Sequence, residues 1–457
     1  MSQRLFFSRY VISDVIGDSI VSLFSTRTGK LALVDVHQEP ALLEAMTQRG
    51  HDIGGCTPAI IRALQDGGFV VLEGTDELDC LRRDRDAVIR NGHGVRLAIL
   101  PTSACDFSCL YCYQRPDSTG PVMSHQTEEN LVNFTHRLLS SLSQGPLVVM
   151  WFGGEPLLAL NIVRRLSAKL IAIADNLRVD YHSSMVTNGY RLDLLTPQVI
   201  SELRLSTIQV TVDGPQEVHD QRRPRKGGRP TFERIVANVA SVSRYFPGII
   251  IRINVDGSNF EQVPSLLVEL RDRDILENCR YTTAAVDLNT GVCVSDSCPT
   301  FKPEEWGKVD DQINVEAQRL GVAHLELNRL PNPGPLACYA QAANAFVVDP
   351  EGLLYKCLND TPIRARAVYD VNNSIELNSS RAFDLQASSP FGCPECENCL
   401  YLPLCNAGCP AVNIDGGSAS PLCTHFRFSL KPRLTRYVRD YLSRDRQPFS
   451  GTSFRSS

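Results

Sequence analysis

From residue 95 onward the chain repeats one pattern six times: a short apolar run suited to a buried strand, then a longer segment with helical periodicity. The runs fall at residues 95–100, 147–151, 180–186, 208–212, 249–255 and 280–286, and the periodic segments at 128–142, 158–174, 198–203, 232–245, 262–271 and 304–320. Parallel strands need a connection long enough to cross back over the sheet, and a helix is the usual one. The alternation therefore predicts an α/β fold with a parallel sheet, either curled into a partial barrel or doubly wound. In a barrel the chemistry gathers at the C-terminal ends of the strands. The segment after each run is therefore where functional residues are sought.

The segment after the first run, PTSACDFSCLYCYQ, places Cys105, Cys109 and Cys112 in a CxxxCxxC spacing with Tyr111 before the last cysteine. Thiolates are soft ligands that favour iron–sulfur clusters or zinc, and three on one short loop can hold three irons of a cubane while the fourth iron has no protein ligand. A zinc clip completed by a distant Cys or His, or a set of buried thiols, is the plainer reading. The chain has sixteen cysteines, ten of them in spaced groups. The N-terminal segment has scattered charges and no apolar h-region, and no apolar run approaches the ~18 residues of a membrane span. A cytoplasmic location without a membrane partner is expected, and there disulfides are rare. Metal binding is the better account of the cysteines.

Later strand ends carry further motifs. Gly153, Gly154, Glu155 and Pro156 follow the second run, Thr187, Asn188 and Gly189 the third, and Thr211, Val212, Asp213, Gly214 and Pro215 end the fourth; Arg252 and Asn254 lie in the fifth. A lone GG, NG or DGP is a common turn, and glycines let backbone come close to a ligand. Together, in this order, they resemble the radical S-adenosylmethionine (SAM) enzymes. The resemblance implies a [4Fe-4S] cluster on Cys105, Cys109 and Cys112 whose open iron takes SAM. It implies that Glu155 in the GGEP pairs with SAM's amino group, that Thr211 reaches its carboxylate or ribose, and that Gly153, Gly154, Pro156, Asn188, Arg252 and Asn254 complete the cofactor site.

The loop at residues 218–229 holds His219, Asp220, Arg222, Arg223, Arg225, Lys226 and Arg229. Such a charge run can be read as a phosphate or nucleic-acid patch, but no aromatic residues interleave it, and HDxxR after DGP recurs in peptide-modifying radical SAM enzymes. The mild net charge of −5 likewise gives no reason to expect a nucleic-acid partner.

After a Pro-rich linker at residues 331–335 come Cys338, Gly352 and Cys357, then Cys396, Cys399, Cys405 and Cys409 in a C-x2-C-x5-C-x3-C spacing, and Cys423. A zinc ribbon can use repeated CxxC pairs. The whole pattern looks like the SPASM extension of radical SAM enzymes, which implies two auxiliary [4Fe-4S] clusters and so three in all. By that resemblance Cys396, Cys399, Cys405 and Cys423 hold the outer cluster, and Cys338, Cys357 and Cys409 the inner. Relatives with a further inner ligand have it where this chain has Asn344; Cys279, Cys293, Cys298 or Cys393 are substitutes, or the iron is open. Residues 347–355 read as a hairpin around an Asp349-Pro350-Glu351-Gly352 turn. Cys56 and Cys80 read as ordinary buried thiols.

Residues 1–90 read as a separate small α+β module, with strands at 10–16, 20–25 and 30–36, helices at 39–46 and 57–66, a closing apolar run at 69–72, and a charged linker at 82–90. In element order it is similar to the domains that hold a leader peptide by adding a strand to a sheet edge. A packing or dimerisation role fits as well. The expected organisation is this module, a partial (β/α)6 radical SAM barrel over 91–330, an iron–sulfur SPASM domain over 331–430, and a closing helix and disordered tail over 431–457.

The resemblance implies an oxidoreductase that cleaves SAM reductively and uses the 5′-deoxyadenosyl radical on a ribosomally made peptide or protein, forming a thioether or carbon–carbon crosslink. An electron donor such as flavodoxin or ferredoxin is implied with it. Formylglycine formation by a sulfatase-type maturase and dehydrogenation of a small molecule are the alternatives. Asp287, after the sixth run, matches the place of a catalytic carboxylate in sulfatase-maturing relatives; capping its own loop is the plainer role.

Overall fold

The computed structural model describes residues 4–444, except 18, 38, 48–51, 92–93, 115–118, 143, 287–298, 323–330, 332, 334–336, 362, 407 and 417–422, and the backbone of 453–455. The chain opens with β1 (Leu5–Phe7) and an antiparallel meander, β2 (Val11–Ile16), β3 (Ile20–Ser25) and β4 (Leu31–Asp35). Helices α1 (Pro40–Thr47) and α2 (Pro58–Gly67) follow, and β5 (Val70–Leu72) returns to pair with β1. Residues 82–90, whose mixed charge suggests a linker, lie inside α3 (Glu77–Asn91). Leu81 and Arg85 are buried on one side of that helix, and Arg85 donates to the carbonyl of Ser388. The charges cover the solvent side of a packed helix.

The sixfold alternation is present as read. It runs β6 (Val95–Ile99), α4 (His125–Ser140), β7 (Leu147–Trp151), α5 (Leu160–Leu177), β8 (Tyr181–Thr187), α6 (Pro197–Glu202), β9 (Leu205–Thr211), α7 (Gln216–Arg222), α8 (Phe232–Ser243), β10 (Ile249–Val255), α9 (Val263–Asp272), β11 (Arg280–Ala285) and α10 (Pro303–Arg319). Each strand pairs in parallel with the next in sequence. The period of two along β10 buries Ile249, Ile251, Ile253 and Val255 in the core with the helices and turns Arg252 and Asn254 to the opposite face. In α5, Ile162, Val163, Leu166, Leu170 and Ile173 form the matching apolar stripe.

Beyond the barrel come β12 (Ala345–Val348), β13 (Leu353–Tyr355), β14 (Tyr369–Asp370), β15 (Ile375–Glu376), α11 (Ser379–Ala387), α12 (Pro394–Glu397), α13 (Leu402–Cys405), α14 (Pro410–Asp415), α15 (Phe426–Arg444) and β16 (Ser453–Arg455). The expected hairpin is β12–β13, and β12 also pairs in parallel with β6, so barrel and extension share one ten-stranded sheet.

The N-terminal meander packs on both faces. Val21, Leu23, Ala32 and Val34 meet Leu42, Ile60 and Leu64 of α1 and α2. Ile12, Phe24, Leu31 and Leu33 on the other face meet Leu430, Leu434 and Val438 of α15. Part of the tail expected to be disordered is ordered, since β16 adds antiparallel to the edge of β4. Among the described residues no helix is long and apolar enough to cross a membrane.

Candidate active site and metal centres

The Cys105–Cys112 loop leaves the C-terminal end of β6 and is braced from two sides. On one side the backbone N–H groups of Gly154 and Glu155 donate to the carbonyls of Thr102 (3.2 Å) and Ala104 (2.8 Å). A Cβ on Gly154 would stand 2.2 Å from the Ala104 carbonyl oxygen and one on Gly153, at φ +117°, 2.7 Å from that of Thr102. The close approach that these glycines permit is therefore to the thiol loop's own backbone rather than to a ligand. On the other side Ser108 N–H donates to Pro224 (2.9 Å), Leu110 N–H to Arg222 (3.1 Å) and Lys226 N–H to Asp106 (2.9 Å). The basic loop thus supports the thiol loop, with Arg222 and Arg223 buried.

Burial pushes the Cys105 thiol up to about 12, with Glu155, Cys109 and Asp106 adding to the rise. It pushes Cys109 up to about 11, opposed by Arg223 and reinforced by Cys112. The three thiols feel one another, and a bound cation is what would make their ionised forms favourable. Among the described residues no three His, Cys, Asp or Glu side chains form a group that could hold a metal ion as it stands.

Glu155 is fully buried after β7. Its Oε1 accepts from Leu157 N–H (3.0 Å) and Thr187 Oγ1 (2.7 Å), and its Oε2 from Asn188 N–H (2.7 Å). Burial raises its carboxyl to about 7 against those hydrogen bonds. With two lone pairs per oxygen, Oε2 keeps one for a further donor. Pro156 opens the short turn that follows. Asn188 is committed to the frame: its Nδ2 donates to Asp106 Oδ1 (3.0 Å) and its Oδ1 accepts from Tyr190 N–H (2.9 Å). Thr211 ends β9 in register with Arg252 on β10. Arg252 Nε donates to Asn254 Oδ1 (2.8 Å), and Asn254 Nδ2 to the Tyr111 hydroxyl (3.1 Å).

That hydroxyl is the centre of a buried network absent from the sequence reading. It bonds Asp213 and accepts from Arg223 Nη1 (2.6 Å), while Arg222 binds Asp256 (2.9 Å) and Ser258 Oγ (2.6 Å). The sequence signal was the HDxxR spacing, which puts Arg223 one helical turn beyond His219.

The C-terminal thiols fall into two neighbourhoods. Burial pushes Cys357 up to about 12, with Cys409 and Cys338 among the groups adding to the rise. Burial likewise pushes Cys396 up to about 12, helped by Cys393, Cys405 and Cys423. Arg427 donates to Cys423 Sγ (3.2 Å), and its charge is held by Cys423 first and then by Cys399 and Cys396. Cys393 thus sits with the outer set, and Cys279 in the barrel core, so the described substitutes are placed away from a role beside Cys338. Cys56 is buried and Cys80 half-buried. Tyr113, whose hydroxyl is raised by burial and then by Cys112 and Cys357, lies between the first loop and the inner set. A cavity of about 380 Å³ opens between Ala285, Val286, Trp306, Cys338, Cys409 and His425. Asp287, Cys293 and Cys298 lie outside the described residues.

A thiol loop at the first strand end of a six-strand parallel half-barrel, facing a strand-end carboxylate, is the architecture of a radical SAM enzyme. Residues 99–270 match the Radical SAM superfamily model, so the chain carries that domain. It is 24% identical to the serine-type anaerobic sulfatase-maturating enzyme of Klebsiella aerogenes over 71% of this chain and 82% of that protein. It is also 24% identical to the radical SAM cyclopropyl synthase TigE of Paramaledivibacter caminithermalis, over 48% of this chain and 51% of that one. The solved structure of anSMEcpe with bound AdoMet shares the fold, with a TM-score of 0.55 at 18% identity, over 76% of this chain and 97% of the other. The chain thus carries a Radical SAM superfamily domain and is similar to a sulfatase-maturating enzyme, to the cyclopropyl synthase TigE and to the sporulation killing factor maturation protein SkfB.

Proposed function

We propose that this enzyme modifies a residue of a ribosomally made peptide or protein, closing a thioether or carbon–carbon crosslink. The observation that carries the reading is the cavity walled by Cys338 and Cys409 beside the end of β11, which brings a second thiol set to the edge of the barrel. The relatives named as a sulfatase-maturating enzyme and as the sporulation killing factor maturation protein SkfB of Bacillus subtilis agree with a peptide or protein substrate. The longer alignment with a sulfatase maturase favours formylglycine formation as the second reading.

In this reading Cys105, Cys109 and Cys112 hold the initiating cluster, and the two C-terminal sets hold auxiliary clusters, fed by a small electron donor such as flavodoxin or ferredoxin. When bound, cluster and SAM supply a radical that removes hydrogen from the substrate. Glu155 receives SAM's amino group at its remaining Oε2 lone pair, and Thr211, Arg252 and Asn254 present polar groups to the rest of the cofactor. Asp287 is placed by its sequence position to take the substrate proton as the substrate is oxidised. The N-terminal module, with β2 at one end of its sheet, is the proposed seat of a leader segment.

The test compares the anaerobically reconstituted parent with Cys105→Ala/Cys109→Ala/Cys112→Ala. The variant is expected to keep about eight of about twelve irons and to form no 5′-deoxyadenosine. Continued reductive cleavage of SAM would refute the site assignment. With candidate precursor peptides, loss of two hydrogens without a hydrazide-reactive aldehyde marks a crosslink, whereas an aldehyde marks the second reading.

A further inference from the structure

We infer that Arg223 is the buried countercharge of the cluster on Cys105, Cys109 and Cys112 and so a determinant of that cluster's reduction potential. The inference rests on the proposed reading of the loop and adds a positioning residue from outside it. Arg223 is 7% exposed, and its guanidinium lies 5.9 Å from the ring centres of Phe107 and Tyr111, the two aromatic residues of the thiol loop that flank Cys109. One donor reaches the Tyr111 hydroxyl, and Nε, though buried, has no partner among the described residues.

The neighbouring Arg222 is different. It is neutralised by Asp256, bonds Ser258 and reaches the Asn254 carbonyl, so its charge is accounted for within the protein. Arg223 has no carboxylate at ion-pair distance among the described residues. Asp213, whose charge reaches Arg223, is already engaged by the Tyr111 hydroxyl, by Asn254 N–H (2.9 Å) and, at 4.0 Å, by Arg222. A buried cation without a committed anion is costly. The anionic group that would relieve that cost is the one that the adjacent thiols assemble.

A cubane on three thiolates is already negative when oxidised and gains one more negative charge on reduction. A fixed positive charge in a low-dielectric surrounding stabilises the reduced form more, raising the potential. Arginine suits the position because its fork holds Tyr111 at the same time; lysine keeps the charge and loses the fork.

The experiment is an anaerobic redox titration followed by electron paramagnetic resonance, on the parent and on Arg223→Gln, Arg223→Lys and Tyr111→Phe. The relevant cluster is identified as the one whose signal changes when SAM is added. Arg223→Gln is expected to have a more negative midpoint and several-fold slower 5′-deoxyadenosine formation with a weak donor. Arg223→Lys and Tyr111→Phe, which keep the charge, are expected to have the parent midpoint. If Arg223→Gln instead loses about four irons while Arg223→Lys keeps them, charge is again the requirement. A parent-like midpoint in Arg223→Gln, a shift in either charge-keeping variant, or iron loss from both Arg223 variants would overturn the proposal. A parent with no SAM-sensitive signal would instead overturn the reading of the loop itself.

Discussion

Replacing Arg381 with Ala should empty the inner thiol set although Arg381 touches no thiol. Its Nε and Nη2 donate to Asp360 (3.2 and 2.9 Å), and its Nη1 donates to Asp415 (2.7 Å). Asp360 closes the turn after Cys357, and Asp415 ends α14, which Cys409 caps. From the other end of α11, the carbonyls of Leu385 (2.9 Å) and Ser388 (2.7 Å) accept from Gln341, whose Oε1 in turn holds Cys338 N–H (3.0 Å). Helix α11 thus gathers the segments of Cys338, Cys357 and Cys409. Asp360 is fully buried and, among the described residues, would keep the charge of Arg366 alone, at 2.9 Å and 26% exposed. Breaking a buried pair costs ~3–5 kcal/mol, and the surviving partner puts Arg381→Ala near the low end, about 3 kcal/mol. Urea denaturation of the metal-free protein measures that cost, and iron analysis of the reconstituted protein should show loss of about four of about twelve irons. A variant within ~0.5 kcal/mol of the parent and with full iron would refute the argument, since that is the scatter of an ordinary surface substitution.

Glu155, raised to about 7 by burial, is half protonated near neutral pH, so SAM affinity should climb with pH through that value and fall about tenfold per unit below it. The sign for stability is opposite: a folded pKa above the unfolded one means that this group's contribution, complete at low pH, is lost as pH rises from the unfolded value to about 7. Equilibrium dialysis of parent and Glu155→Gln from pH 6 to 8 separates the carboxylate from the ligand's own amine; identical profiles would refute its role. Gly154→Ala should cost roughly 2–4 kcal/mol and lose the Cys105 loop's iron, because the atoms in its way are backbone carbonyls that cannot rotate aside. Full iron and parent-like denaturation in that variant would contradict the packing. Removing residues 1–90 should uncover Leu430, Leu434 and Val438, at about 1.5–3 kcal/mol for each fully exposed side chain, and give an aggregation-prone protein. A soluble truncation with unchanged thermal stability would show that the cover on α15 is dispensable.

Features encoded in a local period could be read before folding is considered. The six strands and their helices were legible because a fully buried strand reads as a short apolar run, and a helix facing it as a stripe at every third or fourth residue. The CxxxCxxC loop was legible because its members lie within eight residues, and the β12–β13 hairpin because its turn residues adjoin it. Residues 82–90 were misread for the complementary reason: their charges describe the solvent side of α3, while its packing is set by two inward residues and a distant carbonyl. Long-range packing set the rest: β12 extends the sheet at β6, α15 covers the N-terminal meander, and the glycines of GGEP meet the thiol loop. The same packing buries Arg222 and Arg223 at that loop and makes neighbours of particular thiols. Each depends on surfaces contributed by segments tens to hundreds of residues apart. A basic residue reads the same in sequence whether it faces water or lies buried against the thiol loop, because the groups that surround its charge are brought to it only by the folded chain.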